Sequence, residues 1–237
     1  MFRFVTYGDD KFSESRVRIS KEAQSLNFFD VTVMYTEKDI KKTEELNIAI
    51  RNPHFLKVFE SERGGGYWTW KPLVIYEELK KMNYNDILFY SDAGLVIPSE
   101  PETIKKFREY SDTVRDHETG ILTWRNPHIE SAWTKADVFN HFNALDDERI
   151  YSTRQNSGGR QVIRKCEQSM EIIKLWWETA VNYPHLFSDA PSKIPNFDDF
   201  IENRHDQSVW SMIAKKYNVF QNYNWEDHAI KLIRIKK

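Results

Sequence analysis

Cysteine is almost missing from this chain: Cys166 is the only one in 237 residues. That excludes an intrachain disulfide and any zinc site built from clustered cysteines. Cys166 falls at helical spacing with Val162 and Met170, which reads as buried packing. Long apolar runs are lacking as well, since nothing approaches the roughly 20 residues that carry a helix across a bilayer. The opening Met1-Phe2-Arg3-Phe4-Val5-Thr6-Tyr7 has a strand pattern and no long apolar region of the signal-peptide kind. A cytoplasmic location is the expectation, with no transmembrane segment and with peripheral membrane contact left open. Charge of one sign is also lacking: 34 Lys and Arg against 36 Asp and Glu give a net charge of -2. A protein built to coat nucleic acid would be basic, so no nucleic-acid partner is expected. No internal repeat or low-complexity segment interrupts the chain.

What is present fits one α/β domain over residues 1–237 with a substantial core. Aromatic residues make up 14% of the chain and include eight Trp. Most of these rings belong in a core, and exposed aromatic faces suit sugars and bases. Phe2 to Tyr7 reads as a strand that ends in the turn Gly8-Asp9-Asp10. A helix follows, with Ile19, Ala23 and Leu26 at helical spacing, and then a strand from Val31 to Tyr35. Strand, helix, strand is the opening of a parallel nucleotide-binding arrangement, with a right-handed crossover. Further along, the pattern predicts a helix over 71–82 with Pro72 in its first turn. A second helix is expected to be capped by the box Ser99-Glu100-Pro101-Glu102 and to run through Tyr110. Gly120 to Trp124 reads as a strand, 125–133 as a loop, and 135–145 as a helix. A long amphipathic helix carries Val162, Cys166, Met170, Ile173, Trp177 and Val181. Lys231 to Lys237 alternates apolar and basic residues as an exposed strand does.

The most informative stretch runs from Arg63 to Ile97. It begins with Arg63-Gly64-Gly65-Gly66-Tyr67-Trp68-Thr69-Trp70-Lys71-Pro72, continues through a helix-length spacer, and ends in Asp86-Ile87-Leu88-Phe89-Tyr90-Ser91-Asp92-Ala93-Gly94-Leu95-Val96-Ile97. The run Ile87 to Tyr90 is too short for a helix and rich in strand formers, so it reads as a buried strand with Asp92 at its carboxyl end. In open α/β sheets that end faces the ligand crevice. Three glycines allow close backbone approach, and Arg63 and Lys71 bracket them with cations suited to phosphate oxygens. A carboxylate downstream of such a loop suits a diphosphate-bearing ligand. The bland readings are a strand-end turn for Asp92 and a surface hairpin for the loop.

Tyr90-x-Asp92-Ala93-Gly94 is similar to the Tyr-x-Asp-x-Asp strand-end motif of nucleotide-sugar glycosyltransferases. The whole block resembles the Gly-Gly-Gly-Tyr-Trp-x-Trp-Lys-Pro and Asp-Ala-Gly pairing of a bacterial and viral subset of them. The resemblance implies a GT-A-like (Rossmann-like) α/β fold, with a mixed, mainly parallel sheet flanked by helices. It implies transfer of a sugar from a nucleotide-diphosphate sugar to a hydroxyl of a glycan or related acceptor, in polysaccharide biosynthesis. Related transferases use the strand-end Asp on a divalent cation, Mn²⁺ or Mg²⁺, or on the donor, which makes Asp92 the metal candidate. The family's second Asp is Gly94 here, which puts two-carboxylate metal binding in doubt.

Other site residues follow from the same resemblance. Tyr7 and Asp9, after the first strand, stand where the nucleoside is usually held, although turn formation alone explains the Asp. Gln155 and Gly158, in Gln155-Asn156-Ser157-Gly158-Gly159, resemble the small-residue turn beneath the donor sugar, and a helix cap at Ser157 is the alternative. Arg63, Lys71 and Asp92 complete the donor set. His205-Asp206 resembles the late acidic motif near the acceptor. In an inverting enzyme Asp206 takes the acceptor proton; in a retaining one His205 or Asp206 binds metal or steadies the donor; and a helix cap explains the Asp without chemistry. Trp124, His128 and Trp133 are the acceptor-side candidates. Two rival functions stay open, a catalytically silent carbohydrate-binding module and a nucleotidyltransferase.

Overall fold

A computed structural model describes residues 1–224 and 229–231. The strands are β1 (Phe2–Tyr7), β2 (Val31–Tyr35), β3 (Ile87–Ser91), β4 (Ile121–Ile129), β5 (Arg154–Asn156), β6 (Arg160–Arg164) and β7 (Phe220–Asn222). They form one mixed sheet in the order β2-β1-β3-β6-β4-β5, with β7 also on β4. β1 lies parallel to β2 and to β3, β6 is antiparallel to both β3 and β4, β5 is antiparallel to β4, and β7 is parallel to β4.

Alternation along the strands divides the core into two layers, because successive side chains leave opposite faces of a sheet. Phe4, Ile87, Phe89, Leu122, Trp124 and Val162 pack on one face with residues of helices Ser13–Ser25 and Pro101–Asp116. Val5, Leu88, Tyr90, Ile121 and Ile163 pack on the other, with residues of helices Trp70–Lys81, Glu167–Asn182 and Asp206–Lys216. The fold is therefore α/β, with helices on both sides of a mixed sheet. Among the described residues, no helix is long and apolar enough to cross a membrane.

Several local expectations change. The helix expected across Val162 to Val181 is a strand and then a helix: Val162 lies in β6, and Cys166 is the N-cap of Glu167–Asn182. The spacing of Val162 mimics a helical register because both faces of β6 are buried. Cys166 is itself buried, at a helix end and not on a helix face. The segment read as a loop after Trp124 continues β4 to Ile129, with an irregular register against β5. Helix Pro101–Asp116 outruns Tyr110, with Phe107, Tyr110 and Val114 buried along one stripe, and its N-cap is Glu100 in place of Ser99. Pro101 follows in the first turn, where no amide hydrogen is needed. Of the expected carboxy-terminal strand, Lys231 forms an antiparallel bridge with Val96, and positions 232–237 lie outside the described residues.

Candidate functional site

Strand direction brings the site together. β1 and β3 run parallel with Val5 opposite Tyr90, so Tyr7 and Asp92 emerge at the same edge of the sheet. β6 runs the other way with Arg160 opposite Ser91, which carries the turn Ser157-Gly158-Gly159 past the end of β3. The Asp92 amide donates to the Gly159 carbonyl at 2.9 Å. The far half of β4 and the start of helix Asp206–Lys216 reach the same edge, and together these segments enclose a cleft of about 460 Å³.

On the cleft floor Lys71 stands between two carboxylates. Its Nζ donates to Asp206 Oδ2 at 2.6 Å and lies 3.2 Å from Asp92 Oδ1. Tyr90 donates its hydroxyl to the same Asp92 oxygen at 2.8 Å. Lys71 is 2% exposed and Asp206 5%. Burial raises the Asp206 pKa to about 6, with Lys71 pulling it down and Asp92 pushing it up. Burial works against the Lys71 charge, yet Asp206 and Asp92 outweigh it and hold the ammonium above its ordinary range. A carboxylate that titrates near neutrality, in a cleft and with specific charge partners, suits proton transfer. Glycine is required beside it: a Cβ on Gly158 would stand 2.9 Å from Asp206 Oδ2 and 3.1 Å from the Gln207 Cβ.

The Gly-rich turn forms one wall. Gly64, Gly65, Gly66, Tyr67 and Trp68 all have positive φ, so the chain makes a left-handed turn before helix Trp70–Lys81. At Gly66 the demand is steric too, since a Cβ would stand 2.4 Å from the Phe59 carbonyl oxygen. The turn aims its two tryptophans differently. Trp70 lies against Tyr7 with ring centroids 3.9 Å apart and donates Nε1–H to the Gly64 carbonyl at 3.0 Å. Trp68 stacks on His205 at 5.2 Å. Asp9 caps the short turn Asp10–Phe12 by accepting from the Phe12 amide at 3.2 Å, and its residue still borders the cleft.

His205 has φ +54, the left-handed region that costs a non-glycine residue energy. Its Nδ1 lies 2.8 Å from the Phe187 carbonyl, which only accepts, so Nδ1 carries the hydrogen. Burial lowers the His205 pKa, and the ring is neutral at pH 7. His128 and Arg204 also border the cleft, and both rest on Trp133. The Arg204 guanidinium lies 4.1 Å from the Trp133 ring and the His128 ring 4.6 Å from it.

A divalent cation does not fit the protein's own donor set. Among the described residues no three His, Cys, Asp or Glu side chains converge on a point. The gap between Asp92 and Asp206 holds the Lys71 ammonium, and Gly94 offers no side chain.

Of the residues proposed from sequence, Tyr7, Asp9, Lys71, Asp92, Gly158, His128, His205 and Asp206 all border this one cleft. Four others do not. Arg63 pairs with Asp189 at 3.0 Å, with half of its side chain exposed. Trp124 is 1% exposed on the face of helix Pro101–Asp116, against Tyr110 and Arg160, because strand parity turns it away from the cleft. Gln155 is fully buried and bonds the Trp133 carbonyl, Thr134 and Gln207, so it braces the site from beneath. Trp133 stands behind Arg204 and His128. Lys71, expected to meet a donor phosphate, is also paired within the protein, with Asp206 and Asp92. The sequence reading did not single out Arg204, Tyr90 or Gly159 for roles. Arg204 and Tyr90 sit two residues from Asp206 and Asp92, and that proximity was the available signal.

No protein-family model matches the chain, and no curated protein matches it. Solved structures similar in shape include three glycosyltransferases. One is a glycosyltransferase involved in glycosylation of the major capsid protein of PBCV-1, at 12% identity over 77% of this chain and 68% of that one, with a TM-score of 0.42. The second is mouse xyloside xylosyltransferase 1, at 9% identity over 94% and 84%, with a TM-score of 0.48. The third is the galactosyltransferase LgtC with donor and acceptor sugar analogues, at 11% identity over 93% and 72%, with a TM-score of 0.42. Similarity at this level leaves the reading of the site to its own geometry.

Proposed function

We propose that this protein is a glycosyltransferase that moves a sugar from a nucleotide-diphosphate sugar to a hydroxyl of a glycan or related acceptor. The observation that carries the reading is the Asp92–Lys71–Asp206 triad on the floor of a cleft at the carboxyl ends of parallel strands. A module that only binds carbohydrate has no use for a buried carboxylate held near neutrality. In this reading the base of the donor stacks at Tyr7 and Trp70, Asp9 accepts from a base or ribose group, and the turn at Gly158 admits the sugar. The diphosphate lies toward Lys71 and Asp92.

Asp206, ionised, then takes the proton of the acceptor hydroxyl. The hydroxyl oxygen bonds to the anomeric carbon as the bond from that carbon to the phosphate oxygen breaks. The electron pair of the broken bond leaves with the nucleoside diphosphate. His128 and Arg204 meet the acceptor, and Trp133 backs them both. The neutral His205, pinned to the Phe187 carbonyl and stacked on Trp68, fixes the backbone from which Asp206 projects.

Thermal-shift measurements with uridine and guanosine diphosphate, nucleoside triphosphates and free glycans test this reading. A nucleoside diphosphate raises Tm for the wild type, and Asp92→Ala removes most of the gain. Stabilisation by free glycans alone would instead identify a binding module.

A further inference from the structure

The triad has a second consequence, which rests on the transferase reading above. We infer that Lys71 is the resident cation of this cleft, its ammonium facing the donor diphosphate where a divalent ion would otherwise be held, so that transfer proceeds without a metal.

Three observations converge on this. The first is position: Nζ lies 2.6 Å from Asp206 Oδ2 and 3.2 Å from Asp92 Oδ1, in the gap that a bridging ion would need. An ammonium has three donors, and two carboxylates use two of them, which leaves one for a ligand in the cleft. The second is the state of Asp92. Its Oδ1 already accepts from Tyr90 and faces Lys71, so a metal bound at Asp92 would sit within a few ångströms of a fixed positive charge. The third is Gly94. A Cβ built there meets nothing within 4 Å, so the position has room for the carboxylate that a metal site would need, and the sequence leaves it empty.

The group-transfer step then balances with side chains alone. The bond from the anomeric carbon to the phosphate oxygen breaks, and the negative charge gathers on the departing diphosphate. Lys71 meets that charge with one hydrogen bond and keeps its proton. The acceptor proton goes to Asp206. Lys11 and Arg204 border the same cleft and add positive charge beyond the triad.

The test uses the full chain with Mn²⁺ and with uridine and guanosine diphosphate as probes. Wild type titrated with Mn²⁺ in the absence of nucleotide shows no protein-bound ion by electron paramagnetic resonance. Its affinity for the preferred nucleotide, measured by calorimetry, is the same within about twofold in excess EDTA and in Mn²⁺. Lys71→Met weakens that affinity about tenfold or more in EDTA, the loss expected for one charge-assisted hydrogen bond. Lys71→Ala frees two carboxylates and acquires a bound Mn²⁺ that wild type lacks. A stoichiometric Mn²⁺ on wild type, or nucleotide affinity that rises tenfold when Mn²⁺ replaces EDTA, overturns the inference and leaves the transferase reading standing. Failure of both nucleotides to bind under every condition overturns the two together. The wild-type measurements decide the matter even where a Lys71 variant does not fold.

Discussion

Asp206 and its neighbours carry the chemistry at the scale of single residues. Burial raises the Asp206 pKa to about 6, and a general base must be ionised to act. Activity should therefore climb as pH rises through about 6 and level off above it, seen as the acid limb of kcat/KM. Asp206→Asn should lower transfer by about two to four orders of magnitude, the range for a lost general base, and abolish that limb. A pH–rate profile of both proteins checks this, and unchanged transfer by Asp206→Asn would reduce Asp206 to a structural partner of Lys71. Gly158→Ala should push the Asp206 carboxylate or Gln207 aside, at a cost of about 1–3 kcal/mol in stability and with a fall in transfer, because the added methyl has no space. Denaturant unfolding of that variant beside its activity reads both effects. Asp92 stood out in the sequence because it ends an apolar strand pattern, and Asp206 because the pair His205-Asp206 resembles a late acidic motif. That Lys71 lies between them was not legible, since its two partners are brought to it by strands and a helix far away in the chain.

At the scale of elements, the loop from Pro184 to Ala190 depends on one buried cation. Lys135 donates to the carbonyls of His185, Ser188 and Ala190, and burial lowers its pKa to about 8. The same loop offers the Phe187 carbonyl to His205 and Asp189 to Arg63. Lys135→Met leaves those carbonyls without a donor, so we expect a loss of about 1–3 kcal/mol, read by urea unfolding. Faster amide exchange across 184–190 should accompany it, and an unchanged exchange pattern would show that the loop stands without Lys135. Elements with a clear period and clear ends were legible: β1, β2, β3 and helix Trp70–Lys81 fall close to their expected bounds. The errors have a common cause. β6 and the end of β4 are buried on both faces or irregular in register, so they show no alternation, and the neighbouring pattern absorbed them. Trp124 was misassigned for the same reason, because the side of the sheet it faces depends on a register that composition does not reveal.

The molecule as a whole places a cleft at one edge of a sheet whose two faces are covered by helices. The residues that border the cleft arrive from the ends of β1 and β3, the Gly-rich turn and the start of helix Trp70–Lys81, the turn before β6, the far half of β4 and the start of helix Asp206–Lys216. This arrangement accounts for a ligand with several parts, a stacked base, a diphosphate and a sugar, better than for a single small anion. The direct measurement is release of nucleoside diphosphate from a panel of nucleotide sugars, with the full chain in excess EDTA, beside Asp92→Ala and Asp206→Asn. The account predicts that one donor is hydrolysed slowly by wild type, that Asp92→Ala neither binds nor hydrolyses it well, and that Asp206→Asn still binds it with nearly unchanged affinity. A wild-type protein that binds and hydrolyses no nucleotide sugar, with or without a glycan acceptor, would contradict it.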